Sequence, residues 1–159
     1  MATVKISQSR NNPFGYTTPY GNQSVLPFSF ESNATGAVVN SNSGSALAIG
    51  DVVDLGPLPA GFRLDDSTVV ISDAFTAAST AKLGFLYEDG VDSTVVPQDD
   101  DYFGTGLILS SAARLRNATA NKPVVLPKPA RLILTLAGAA LADAGRADIR
   151  IVGELTGAA

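Results

Sequence analysis

Apolar residues recur at every second position in short runs along this chain, and this alternation limits the folds that the chain can adopt. In TAKLGFLYE and ARLILTLAG, one set of alternate residues is apolar, while the other set includes Lys82 in the first run and Arg131 in the second. A half-buried strand has this period of two because its successive side chains point to opposite faces of the sheet. Turn sequences such as GPLPAG and EDG separate the runs, so the sequence predicts an all-β protein.

The alternation also predicts which side chains form the core. We expect one buried face in each of five runs: Leu26, Phe28 and Phe30; Leu47, Ile49, Val53 and Leu55; Ala81, Leu83, Phe85 and Tyr87; Ala130, Leu132, Leu134 and Leu136; Ile149, Ile151 and Leu155. No segment has a convincing apolar stripe at helical spacing. About eight short strands around one core indicate a jelly-roll-like β-sandwich, which we place at residues 47–159.

Residues 1–46 differ from the rest of the chain because they are rich in Asn, Ser, Gly and Thr. We predict that they form an extended N-terminal arm and a lead-in strand, and that the domain folds without residues 1–30. Aromatic residues on an arm without its own core need another surface to pack against. The contacts predicted from this region are Pro13, Phe14, Tyr16, Tyr20 and Phe28. An ordinary loop-and-strand lead-in is the alternative.

The chain contains no Cys and no His, and this argues against most enzymatic functions. The commonest general base, the usual activator of a nucleophilic serine and the commonest transition-metal ligand are all missing. No glycine-rich cofactor fingerprint occurs either. We therefore expect a protein that is not an enzyme and that uses no cofactor. A glycosidase with two facing carboxylates is a distant alternative.

Six of the fifteen acidic residues lie between Tyr87 and Phe103, in the sequence YEDGVDSTVVPQDDDYF, which we call the acidic segment. Its carboxylates are ligands of the kind that Ca²⁺ prefers, but their spacing is not that of an EF-hand loop. Gly90 follows an alternating run, as the turn of a hairpin does. We therefore predict an exposed strand end and loop rather than a metal site, with Tyr102 and Phe103 returning to the core.

Charge is unevenly distributed along the chain, whose net charge is −4. Residues 51–113 carry eleven acids and two bases, whereas residues 114–159 carry seven bases and three acids. This uneven charge has two equally good explanations. One is that a single domain has two differently solvated faces, and the other is that the chain docks on a charged partner or on another copy of itself. On the second interpretation Lys128 and Arg131 meet the acidic segment of a neighbouring copy, including Asp99, Asp100 and Asp101. Three prolines around Lys128 suggest a sheet edge there, either blunted or docked on another subunit.

Several segments together resemble the capsid decoration, or cement, proteins of tailed bacteriophages, which have a jelly-roll core. The similar segments lie between Leu47 and Leu155 and include the GPLPAG turn, the DYF segment and LPKPA. The resemblance implies a non-enzymatic virion protein that is made in the host bacterial cytoplasm and binds the outer surface of the assembled head. There it would stabilise the head by bridging copies of the major capsid protein.

The resemblance also implies partners. These are the phage major capsid protein and further copies of the chain itself, as a dimer or trimer. The residues themselves predict no nucleic-acid partner, since the basic residues are dispersed, and no membrane, since no apolar run approaches the ~20 residues that span a bilayer. A glycan-binding jelly-roll module of a phage tail or fibre is the alternative. That module would bind carbohydrate through Asp99, Asp100, Asp101 and Tyr102.

Overall fold

The computed structural model describes residues 2–5, 23–116 and 121–156, and they form two β-sheets packed face to face. No helix occurs among these residues, so none of them belongs to a helix that could span a membrane. The strands are β1 (Thr3–Lys5), β2 (Gln23–Ser32), β3 (Val52–Leu58), β4 (Phe62–Asp73), β5 (Thr80–Tyr87), β6 (Asp99–Ile108), β7 (Ala113–Arg116), β8 (Val124–Val125), β9 (Ala130–Ala137) and β10 (Gly145–Leu155).

The strand order is that of a jelly roll with two short additions. The first sheet has the order β1-β3-β9-β5-β6, and the second has the order β2-β10-β4-β7. Strand β8 also pairs with β4, and β1 runs parallel to β3. Without β1 and β8, eight strands remain in two sheets of four, as in a jelly roll. The predicted all-β sandwich of about eight strands is therefore confirmed.

The core lies between the sheets and includes all but two of the side chains that the alternation predicts. Strand β2 alternates between exposed and buried residues along its whole length, and Leu26 and Phe30 are fully buried. The ring of Phe30 stacks on that of Phe75 at 4.9 Å between centroids. The exceptions are Ile49, which is 60% exposed, and Leu155, which is 37% exposed. Ile49 lies in a turn before β3, and Leu155 is the last residue of β10, where it pairs with Phe62 at the start of β4.

The prediction of a sheet edge after the prolines is wrong for the apolar run from Ala130. That run is β9, the central strand of the first sheet, and it pairs with β3 on one side and β5 on the other. Pro129 immediately precedes β9, and a proline before the first residue of a strand removes no ladder hydrogen bond. The edge strand in this region is the two-residue β8 of the second sheet.

Strand β2 is part of the sandwich, which changes the expectation that the domain folds without residues 1–30. It pairs with β10 in an unbroken register from Gln23↔Glu154 to Ser32↔Gly145. Deleting residues 1–30 would remove most of this strand along with Leu26 and Phe30, so we now expect that deletion to destabilise the domain. Pro27 lies on β2, which is an edge strand of the second sheet among the described residues, and an edge strand tolerates a residue without an N–H group.

Candidate interaction surface

The acidic segment begins as the end of β5 and returns to the sheet as β6, as predicted. After Tyr87 the chain turns, with Gly90 N–H donating to Tyr87 O at 3.1 Å and Gly90 at φ 71°. Glycine adopts this left-handed conformation without steric cost. The side chains of Val91 and Val95 are 62% and 80% exposed, so the loop combines carboxylates with two exposed apolar residues.

Lys128 holds this loop against the rest of its own chain. Its ammonium group donates to both carboxylate oxygens of Asp89, at 2.9 and 2.7 Å, and to Val91 O at 2.6 Å. It also lies 4.6 Å from the centre of the Tyr87 ring. The Lys128 hydrogen bond and the Val91 N–H bond lower the pKa of the Asp89 carboxyl. Lys128 therefore fixes the position of the loop from the segment before β9.

Two tyrosines anchor the ends of the acidic segment in the core. Tyr87 and Tyr102 are only 3% and 5% exposed. The Tyr87 hydroxyl donates to Val96 O at 2.5 Å, and the Tyr102 hydroxyl contacts Lys122 O at 2.9 Å. Burial raises the pKa of Tyr102 to about 12. The return of Tyr102 and Phe103 to the core is confirmed, since Phe103 is 1% exposed.

Arg131 is bound within its own chain as well. Its Nε lies 3.0 Å from both carboxylate oxygens of Asp54 on the adjacent strand β3. The Asp54 side chain is 8% exposed and that of Arg131 is 28% exposed, so the pair lies partly below the surface. A buried carboxylate needs such a partner, because burying an isolated charge is costly. Arg131 therefore has a structural role on the first sheet.

The carboxylates of Asp99, Asp100 and Asp101 form a cluster at the start of β6, and one oxygen from each lies within 4.8 Å of the others. Lys82 on the neighbouring strand β5 lies 3.2 Å from Asp100 and 3.8 Å from Asp101. The pKa of the Asp101 carboxyl is raised mainly by a hydrogen bond with Asp99 and to a smaller extent by burial. The cluster has the oxygen ligands that Ca²⁺ uses, but the lysine already offsets part of its charge.

The structure locates six of the ten predicted contact residues. Pro13, Phe14, Tyr16 and Tyr20 lie outside the described residues, so their role stays a prediction. Phe28 is 8% exposed, with its ring in the core. Lys128 and Arg131 pair with Asp89 and Asp54 of the same chain, and Asp99, Asp100 and Asp101 lie together at the surface.

Sequence reasoning missed a group of arginines on the outer face of the second sheet, which we call the arginine face. It consists of Arg114 and Arg116 on β7 and Arg150 on β10, all exposed. The two strands lie on either side of β4, where Thr68 is opposite both Arg116 and Arg150, and Val70 is opposite Arg114. Alternation with buried Ile149 and Ile151 indicates that Arg150 points outward. Only the strand order, however, brings it near β7.

Arg114 and Arg150 form no ion pair with any residue that the structure describes. Arg116 pairs with Asp66, and Arg146, farther along β10, pairs with Glu31 and Asp148. A shallow depression of about 360 Å³ lies at Arg114 and Arg150 and is also lined by Pro27, by Val70 and by Asp148, which pairs with Arg146. The arginine face thus offers two unpaired cations beside apolar groups.

No family model matches this chain, and no curated protein matches its sequence. Among solved structures, it matches a chain in the capsid of Ralstonia phage GP4 with a TM-score of 0.60 and 13% identity, covering 99% of this chain and 100% of that one. The two chains share a fold. A chain in the capsid asymmetric unit of cyanophage Pam1 also matches, with a TM-score of 0.53, 13% identity and coverage of 94% and 99%. Both matches extend over nearly the full length of each chain.

The structure disfavours the glycan-binding alternative as we framed it. Tyr102 is buried and its hydroxyl is bound, so it offers no ring to a sugar. Every aromatic side chain among the described residues is at most 8% exposed. The remaining aromatic residues are Phe14, Tyr16 and Tyr20, in the part of the chain that the structure does not describe. The described surface therefore lacks an aromatic platform of the kind that Tyr102 was expected to supply.

Proposed function

We propose that this chain is a non-enzymatic structural protein of a phage virion, which binds the outer surface of the head and stabilises it by bridging major capsid proteins. The observation that carries the proposal is the match to the Ralstonia phage GP4 capsid chain, which covers 99% of this chain and 100% of that one. The sequence resemblance to decoration proteins between Leu47 and Leu155 supports the placement on the outside of the head.

The physical character of the sandwich supports a structural role. Its core is continuous between the sheets and includes thirty buried residues. Burial on this scale favours a stable domain that can act as a rigid clamp between neighbouring subunits. Binding that is repeated at many equivalent positions on one shell needs only modest affinity at each.

We place the capsid contacts in the N-terminal region, at Pro13, Phe14, Tyr16 and Tyr20. All eight aromatic residues that the structure describes lie in the sandwich core. Phe14, Tyr16 and Tyr20 are the other aromatic residues of the chain, and we propose that their rings contact a partner. Aromatic residues contribute much of the binding energy at protein interfaces. Self-association of the chain, as a dimer or trimer, accompanies capsid binding in this proposal.

A triple substitution tests the N-terminal contacts without removing β1 or β2. We expect Phe14→Ala/Tyr16→Ala/Tyr20→Ala to keep the thermal unfolding temperature of the wild type but to lose co-sedimentation with phage heads that lack the protein. Asn11→Ala/Thr17→Ala/Asn22→Ala is the matched control, since it changes three polar residues of the same segment. Wild-type binding by the aromatic variant would refute the assignment of these contacts.

A further inference from the structure

We propose that the arginine face binds the acidic segment of a second copy of this chain. The proposal adds an interface to the self-association proposed above, and it can be tested without any capsid. It differs from the pairing expected from the sequence, in which Lys128 and Arg131 were the basic partners. Those two residues are bound to Asp89 and Asp54 of their own chain and would have to give up these contacts.

The first argument is the position of the unpaired charge. Arg114 and Arg150 are exposed and form no ion pair with a described residue. The acidic segment has the opposite imbalance, with six carboxylates against three basic side chains, since Lys82 and Lys128 pair with its aspartates and Arg131 lies 4.0 Å from Glu88. Glu88 and Asp100 have side chains that are 59% and 48% exposed. Opposite charges arranged in this way steer association and fix its register.

The second argument is that the two surfaces cannot meet within one chain. The acidic segment connects β5 and β6 of the first sheet. Arg114 and Arg150 lie on the outer face of the second sheet, which points away from the first because the alternate residues of both strands face the core. A contact between the two surfaces therefore joins different molecules, either in a dimer with two equivalent contacts or in a closed ring.

The third argument is that both surfaces have exposed apolar groups next to their charges. Val91 and Val95 project from the acidic segment. On the arginine face, Pro27 is opposite Arg150, and Val25, which is 50% exposed, is opposite Val152. Apolar contact provides affinity that exposed ion pairs alone do not. The combination favours a second copy of the chain over a partner that is merely acidic.

Charge reversal on both surfaces tests this interface. In Arg114→Glu/Arg150→Glu, like charges would face each other, so we expect the dissociation constant for self-association to rise about 100-fold or more. Glu88→Arg/Asp100→Arg should have the same effect from the other side. The variant with all four substitutions has complementary charges again and should regain self-association. Its net charge equals that of the wild type, so a general effect of charge is excluded.

The measurement is molecular mass by sedimentation velocity up to about 100 μM protein, with circular dichroism to check that each variant is folded. A monomeric wild type over this range, or unchanged association of Arg114→Glu/Arg150→Glu, would overturn the proposal. Failure of the four-substitution variant to associate would also overturn it. Capsid binding is measured separately, so either proposal can fail without the other.

Discussion

Replacing Arg131 with Met tests whether this residue works inside its own chain. The substitution keeps much of the apolar side chain but removes the cation that lies 3.0 Å from both oxygens of Asp54. Asp54 is 8% exposed, so the carboxylate that remains would be largely out of water. We therefore expect Arg131→Met to lower the free energy of unfolding even when the protein is monomeric.

The size of the effect follows from this burial. Removing one partner of a fully buried ion pair costs about 3–5 kcal/mol. Arg131 is 28% exposed, so water can enter the vacated space and reduce the cost to about 2–3 kcal/mol. For a domain of this size, that loss lowers Tm by roughly 4–12 °C. The double variant Arg131→Met/Asp54→Leu should recover part of it, because no unpaired charge remains.

Urea denaturation of the single and double variants gives the free energies directly. Arg114→Met is the control, because it makes the same change at an exposed arginine that pairs with none of the described residues, and it should cost less than about 0.5 kcal/mol. A loss below about 1 kcal/mol for Arg131→Met would refute the structural role of the pair. Arg131 would then be free to meet another subunit, as the sequence first indicated.

Three further predictions concern the sandwich and the acidic segment. Gly153→Ala should destabilise the protein by about 3 kcal/mol in urea denaturation, because the new Cβ would lie 1.9 Å from Arg63 O. Gly44→Ala is the control and should leave the stability unchanged, because no atom lies within 4 Å of the Cβ at that position. Lys128→Met should speed amide hydrogen exchange between Asp89 and Gln98, since the loop loses its contact with the segment before β9; unchanged exchange would contradict that role. The free energy of unfolding should fall by about 2–3 kcal/mol between pH 10 and 12, because burial raises the pKa of Tyr102 to about 12 from an unfolded value of about 10. The stabilisation by the protonated Tyr102 is complete below pH 10 and is lost as the pH rises through the folded pKa. Tyr102→Phe should flatten this slope.

The alternation of apolar residues predicted the fold because each strand buries one face in a single core. It identified β2, β5, β9 and most of β10 from their side chains alone. It failed at Ile49, which lies before β3, and at Leu155, which is the last residue of β10. The position of β9 at the centre of its sheet was not predictable, because strand order depends on pairing between distant segments.

The candidate interaction surface was only partly predictable, for a similar reason. The acidic segment is continuous in the sequence, and a turn at Gly90 was evident from its composition. By contrast, the partners of Lys128 and Arg131 lie 39 and 77 positions away, so the sequence could not show that both were bound within the chain. The arginine face combines β7 and β10 across β4, and no local pattern records that neighbourhood.

Binding to phage heads that lack this protein tests the central claim most directly. Purified wild-type protein should co-sediment with such heads, and imaging of the complex should show on the order of hundreds of copies on the outer surface at regular positions between capsid subunits. The heads should also resist heat better after binding, since a ligand that binds the assembled state stabilises it. No binding to the heads, or a few copies confined to one vertex or the tail, would contradict the account.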